Sequence, residues 1–341
     1  MSEAEAPRAN RGPALPLRGA RAILDFVGVT NVSLLLALGA LVTVIGSQNS
    51  NFVLWQNIEV IGTSVALAGL LAVAQTVVII CGALDISVGS MTGLASVASA
   101  MVFMSTSSHW LGMAAALGLG VACGLVNGII IVYGRVNPVV ATLATLAAFK
   151  GVAQLISNGR AQGYTGADPV FNWLARGKIV HIPSLIWLLA LVALAVHVML
   201  KYTDLGRNIY AIGGNDTAAR LAGINLNRYL IGVYMLTGLI AGLAGIVLTA
   251  RTGSGQPVSG SEGLELQSIT AAALGGAALA GGKGAISSTI LAVTILGSLT
   301  NGLTVLGVNP FWQNVATGAV LVVAVVIQQQ RSGERRVGLP R

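Results

Sequence analysis

The sequence predicts an all-α polytopic membrane protein of about ten transmembrane helices, built as an inverted-topology repeat with both termini cytoplasmic. Three observations carry this prediction. The 341 residues are 55% hydrophobic and 9% charged, with a mean hydropathy of +0.81, whereas a soluble domain carries about a quarter charged residues. The apolar residues form continuous runs rather than alternating ones, which argues against a β-barrel. Finally, segments of the first half recur in the second. Gly89-Ser90 returns as Gly260-Ser261, Asn127-Gly128 as Asn301-Gly302, and Asn137-Pro138 as Asn309-Pro310, at offsets of 171, 174 and 172 residues.

A bilayer crossing takes ~20 apolar residues as helix, and only a helix satisfies the backbone of such a segment in lipid. Residues 1–25 form a polar, Arg-rich tail, 26–330 a membrane domain and 331–341 a second polar tail. The first apolar run is long and no small-residue cleavage site follows it, so it reads as an uncleaved span rather than a signal peptide. Ten spans are expected, at 27–46, 58–81, 87–105, 111–133, 138–157, 183–200, 228–250, 264–281, 285–306 and 312–329. The second and third are the least sharply divided, because Asp85-Ile86-Ser87 interrupts a long apolar stretch.

The basic residues orient these spans. With both termini inside, fourteen Lys and Arg face the cytoplasm and four face outward, Arg160, Arg176, Lys178 and Arg251. Lys150 falls within a span. That asymmetry follows the positive-inside rule. Spans two to five then match spans seven to ten, a shift of five. An odd shift points the copies in opposite directions, an arrangement common in transporters, whose substrate path lies near the repeat interface.

Four polar features stand against this apolar background. In the run Gly82 to Ser90, Asp85 is a carboxylate in an apolar stretch, which is costly unless paired or wet. It reads either as the break of a discontinuous helix, lining a cavity with Ser87 and Ser90, or as a cap in an inner turn; both can hold. Its counterpart, Ser254 to Glu262, is rich in turn formers and lies outside. With Gln256, Glu262 and Glu265 it is either a solvated loop or a docking surface for an external partner. The inner segment 201–227 contains a short predicted helix with Asn215 or Asp216 as N-cap and Gly223 as stop. Such a helix is marginal alone in water and more stable when docked. Finally, Asn127, Thr142, Thr145, Asn301, Thr304, Gln313 and Asn314 place amides and hydroxyls inside spans. They suit a neutral, polyhydroxylated solute, or they bond between helices.

Several function classes are excluded. The scattered basic residues, without aromatic interleaving, do not suggest nucleic acid. Cys81 and Cys123 both lie in apolar spans and form no disulfide framework or metal site. No Walker-type phosphate loop, His-Glu-x-x-His or Ser/His/Asp constellation is present, so this chain is expected to bind no ATP, cofactor or metal.

The run Gly82-Ala83-Leu84-Asp85-Ile86-Ser87-Val88-Gly89-Ser90, the pairs Asn127-Gly128 and Asn137-Pro138, Gly206-Arg207 leading to Ala218-Ala219-Arg220-Leu221-Ala222-Gly223-Ile224, and the Gly- and Ala-rich stretch Leu274 to Gly284 together resemble the membrane permeases of bacterial ABC sugar importers of the ribose, xylose and galactose type. The resemblance covers residues 50–329. It implies an inner-membrane permease, not an enzyme, that forms a translocation path for a pentose, hexose or related polyol. A second permease chain would complete the path, as a homodimer or a pair with a paralogue. A cytoplasmic ATPase, with two fused nucleotide-binding domains, would bind ATP and Mg. An extracytoplasmic binding protein would deliver the sugar. Asn215, Asp216, Ala218, Ala219, Arg220, Leu221, Gly223 and Ile224 would form the coupling helix, a segment that would insert into a groove of the ATPase. Branched-chain amino acid permeases look distantly similar, and an ion-coupled secondary transporter would suit an inverted repeat equally well.

Overall fold

A computed structural model describes residues 28–163, 165–309 and 311–332; the tail predicted at 1–25 lies outside them, as does that at 331–341 apart from residues 331–332, which end the last helix. The described residues form thirteen α-helices. In chain order these are α1 (Val29–Gln48), α2 (Trp55–Ile80), α3 (Val88–Thr106), α4 (His109–Val132), α5 (Pro138–Ser157), α6 (Pro169–Arg176), α7 (Ser184–Tyr202), α8 (Asp204–Gly214), α9 (Asp216–Leu221), α10 (Leu226–Thr252), α11 (Leu264–Leu274), α12 (Ile286–Val305) and α13 (Phe311–Ser332). A two-residue hairpin, Lys178–Ile179 with Ile182–Pro183, joins α6 to α7.

Eight of these helices are long and apolar enough to cross a membrane: α1 to α5, α7, α10 and α12. The chain is thus an all-α polytopic membrane protein. α13, with 22 residues, occupies the place of the tenth predicted span. The eighth, at 264–281, needs correction. α11 ends at Leu274 after 11 residues, about 16 Å of helix and half the hydrocarbon thickness. Turns carry the chain from Gly275 to Gly284, where Gly276, Gly281 and Gly282 adopt left-handed φ of 85°, 96° and 73°. Glycine tolerates that conformation and a helix does not continue through it.

The repeated Asn-Pro pairs do the same local work in both copies. The Asn137 side chain accepts from the Val139 N–H at 2.9 Å and starts α5; that of Asn309 accepts from the Phe311 N–H at 2.9 Å and starts α13. The packing is also exchanged between copies. α2 packs on α10, α11 and α12, and α10 packs on α2, α3 and α4. α3 rests on α5 as α11 rests on α13.

A run of close backbone approaches joins α4 to α10. Ala116, Gly120 and Gly124 are spaced four apart on one helix face, and Tyr234, Gly238 and Gly242 on the other. A Cβ on Gly120 would strike the Gly238 carbonyl, one on Gly238 the Gly120 carbonyl, and one on Gly124 the Tyr234 carbonyl. Lipid supplies no hydrophobic force between helices, so small residues that let backbones touch carry the association. Gly118, on the same helix, faces open space. Gly120→Val should therefore cost about 1–3 kcal/mol by overpacking, while Gly118→Val should stay within about 0.5 kcal/mol of the parent. Thermal unfolding in detergent compares them, and equal midpoints would show that the seam does not hold the halves together.

Candidate functional site

The break between α2 and α3 is built from its backbone outward. α2 ends at Ile80, and Gly82 turns the chain with φ 86°. The Ala83 N–H returns to the Val78 carbonyl at 3.0 Å. The chain then runs back along α2. There the Gln75 amide, oriented to satisfy both groups, donates to the Asp85 carbonyl at 3.0 Å and accepts from its N–H at 3.2 Å. The Tyr234 hydroxyl donates to the Leu84 carbonyl at 3.0 Å. A re-entrant backbone in a membrane needs these partners, because no water is there to replace them.

Asp85 and Ser87 are fully buried. One carboxylate oxygen accepts from the Ser87 N–H at 2.9 Å and its hydroxyl at 2.6 Å; the other meets the Asn127 amide at 3.5 Å. Asn127 also donates to Ser87 Oγ at 2.8 Å, leaving its own Oδ1 without a partner among the described residues. Ser87 is the N-cap residue of α3 and its side chain makes no cap bond; the Asp85 carboxylate instead fixes Ser87 through its N–H and hydroxyl just ahead of the helix. In this conformation protein surrounds both side chains, so the cavity-lining reading applies only to Ser90. Ser90 sits one turn on, its hydroxyl bonded to the Ser87 carbonyl at 2.8 Å.

Ser90 opens on a narrow cleft of about 40 Å³ with Lys150, Glu262 and Glu265. Both glutamates also line a larger cleft of about 840 Å³, with Gln267, Thr300, Gln313 and Asn314. Lys150 Nζ lies 2.8 Å from Glu262 Oε1. That pair is half exposed and adds little stability; it does join α5 of one copy to the loop of the other. The remaining polar positions do other work. Thr142 and Thr145 are buried and bond carbonyls of their own helix. Asn301 accepts from the Asn57 amide at 2.8 Å, tying α12 to α2. Thr304 is exposed and accepts from Gln313 Nε2 at 2.9 Å. Gln256 is anchored inward, its N–H on Ser96 Oγ at 3.0 Å.

Segment 201–227 folds as two helices rather than one. α8, which the sequence reading did not anticipate, begins at the Thr203 cap and ends at Gly214. α9 is a single stretch of six residues, capped where the Asn215 side chain accepts from the Ala218 N–H at 2.9 Å. Its far end closes by Ile224 N–H to the Ala219 carbonyl at 3.0 Å, with Gly223 at φ 85°. Asp216, Ala218, Arg220, Leu221 and Gly223 are exposed. Ala219 faces the other way. It is 4% exposed and belongs to the protein's own core, because a six-residue helix between two caps must turn one residue of each turn inward. The outward face is Leu221, 85% exposed, with its neighbours.

α8 connects this segment to the break. A Cβ on Gly213 would strike the Ile80 carbonyl and crowd the Gly282 N–H, and that N–H donates to Ile80 at 2.9 Å. Tyr210 donates to the Gly284 carbonyl at 2.7 Å. One end of the molecule thus gathers α8, the α2–α3 break and the glycine turn before α12. At the other end of α2, Lys178 bonds Glu59 at 2.6 Å. The loop after α10 pairs there with the loop after α5, Gln162 and Gly255 exchanging backbone bonds of 2.9 and 2.8 Å. Sequence reasoning missed Gln75, Tyr234 and α8. A lone amide in the apolar run of α2 was a usable signal for Gln75; nothing local marks Tyr234.

No solved structure matches the chain. Among curated proteins it is 39% identical over 299 residues to the ribose import permease protein RbsC of Escherichia coli K12, covering 87% of this chain and 93% of that protein. It is 37% identical over 297 residues to RbsC of Bacillus subtilis 168, covering 87% and 92%. It is 38% identical over 286 residues to the L-arabinose transport system permease protein AraH of Escherichia coli K12, covering 84% and 86%. Residues 57–325 match the model of the branched-chain amino acid transport system permease component. That match spans the break, both clefts and the α8–α9 segment, and the chain belongs to this permease family, as a multi-pass protein of the inner membrane.

Proposed function

We propose that the chain is the membrane-spanning permease subunit of an ATP-driven importer for a monosaccharide, a pentose, hexose or related polyol. The observation that carries this reading is near-full-length similarity to permeases named for ribose and arabinose. The family description mentions branched-chain amino acids, but the similar proteins are sugar permeases, and two adjoining clefts, one lined by Ser90 and the other by Gln267, Thr300, Gln313 and Asn314, offer hydroxyls and amides to a neutral polyol.

In this reading the two copies are inverted and both termini are cytoplasmic. A second permease, identical or a paralogue, faces the cleft and completes the path. A cytoplasmic ATPase with two fused nucleotide-binding domains holds ATP and Mg; this chain holds neither. A sugar-binding protein docks outside against the loop bearing Ser259, Gly260 and Glu262, and Gln256 anchors that loop from within. Each partner acts through its differential affinity for two gate states.

The coupling path is short. The exposed face of α9 sits in the ATPase, and its inner face, Ala219 and Ile224, is fixed to the membrane domain. Movement of α9 passes through α8 to Gly213, and from there to the break that Asp85 holds and to the glycine turn. The break sets the position of Ser90 at the cleft.

Two outcomes follow. Leu221→Asp should leave the detergent melting midpoint within the ~0.5 kcal/mol range of surface changes but lower sugar uptake at least tenfold in proteoliposomes carrying ATPase and binding protein. Parent-level uptake and ATPase stimulation would remove α9 from coupling. Ala219→Leu should instead destabilise the fold by about 1–3 kcal/mol through overpacking. Asp85→Ala leaves two donors of Ser87 and one of Asn127 without an acceptor, a cost of about 1–3 kcal/mol. Uptake per folded molecule should fall further than expression. If the two decline in proportion, Asp85 serves folding alone. Uptake that persists after ATP depletion and collapses with an ionophore would replace the ATP-driven reading with an ion-coupled one.

A further inference from the structure

The hairpin between α6 and α7 has a tip that neither the fold nor the transport reading explains. Lys178 pairs with Pro183 and Ile179 with Ile182, so Val180 and His181 make the turn alone. Both have left-handed φ, 51° and 63°. Two-residue turns of this kind favour Asn-Gly, which adopts that backbone freely. Among the described residues Val180 is the one β-branched side chain on a left-handed backbone. It is also 78% exposed, next to exposed Ile179. In water, Asn or Gly would serve both the backbone and the solvent better. A strained, exposed apolar tip therefore marks a functional segment.

The neighbours of the tip say what covers it. Trp187 Nε1 donates to the Ile179 carbonyl at 3.2 Å, which ties the tip to α7. Trp187, Leu191, Leu194 and Val198 recur every three or four residues on one face of α7, and all four are exposed. α7 is long and apolar enough to cross a membrane, so this face meets lipid. The tip continues the face at its end, where an exposed tryptophan marks the headgroup level. Trp173 of α6 is exposed too, while Phe171 of the same helix is buried against Phe103, ring centroids 5.5 Å apart. Arg176 and Lys178 flank the patch, and no Asp or Glu occurs from Pro169 to Thr203. Apolar side chains among tryptophans and basic residues compose a segment that lies in the membrane interface.

We propose that Ile179 and Val180 form an interfacial anchor, inserted among the phospholipid headgroups beside α7, in the outer leaflet in the proposed orientation. Lys178, bound to Glu59 at 2.6 Å, carries that level to α2, whose far end is the break. The anchor thus fixes the depth of both helices in the bilayer. It needs only a membrane-spanning chain, so its failure would leave the transport reading untouched.

The test is fluorescence quenching of the full-length permease in phosphatidylethanolamine–phosphatidylglycerol vesicles. Cys81 and Cys123 are buried, so Val180→Cys can be labelled alone with a polarity-sensitive fluorophore. Ser259→Cys, in the exposed loop before α11, is the water-facing reference. Relative to that reference, the label at Val180→Cys should be quenched roughly threefold more by a nitroxide lipid and roughly threefold less by iodide. Val180→Asp, with the label at Ile179→Cys, separates insertion from folding. Asp accepts a left-handed backbone more readily than Val, so the detergent melting midpoint should hold or rise while lipid quenching falls roughly threefold. Iodide quenching at Val180→Cys equal to the reference, or lipid quenching unchanged by Val180→Asp, would overturn the anchor. Shielding of Val180→Cys from both quenchers would show that another protein chain covers the tip and would overturn the lipid assignment.

Discussion

Gly120, Gly124, Gly238 and Gly242 hold α4 and α10 at backbone contact, and the rest of the architecture depends on that closeness. In the proposed repeat α4 belongs to the first copy and α10 to the second. With the two backbones touching, Tyr234 of α10 reaches the Leu84 carbonyl and Asn127 of α4 reaches Ser87 and Asp85. The break between α2 and α3 is thus clamped from both copies. A larger residue anywhere along the seam would part the helices and withdraw both donors from a re-entrant backbone that lipid cannot solvate.

The break illustrates how a membrane protein keeps a charged residue without a water-filled site. Asp85 accepts from three donors belonging to two side chains and one backbone amide, and Gln75 satisfies its peptide groups. The break therefore acts as a jointed start for α3. Glycines around it, Gly82, Gly213 and Gly281, bring α8 and the turn before α12 into direct backbone contact. In the proposed cycle, this is where a push on the cytoplasmic helix meets the wall of the path. Stiff contacts between backbones transmit displacement better than flexible side chains would.

The physics of lipid made much of this legible in the sequence. Apolar length located eight crossings within a few residues, and the Asn-Pro pairs marked the starts of α5 and α13 because an amide cap before a proline is a local rule. The half-length α11 was hidden, since Gly275 to Gly284 is apolar enough to pass as helix by composition while five of its residues are glycine. The face of Ala219 could not be read from sequence, because a six-residue helix has too few turns to show periodicity. Thr142, Thr145 and Asn301 were candidates for the path on residue type alone; the two threonines bond carbonyls of their own helix, and only the bond from Asn57 to Asn301 depends on a tertiary neighbour. The convergence of Ser90, Lys150, Glu262 and Asn314 around adjoining clefts likewise arises from the pairing of copies.

Opposed orientation of the two copies is the central claim, and equivalent positions can test it directly. Val136 and Val308 occupy matching places before the Asn-Pro pairs, and both are partly exposed. A membrane-impermeant maleimide applied to intact cells should modify Val308→Cys and spare Val136→Cys until the inner membrane is permeabilised. Modification of both positions from the same side would contradict the account.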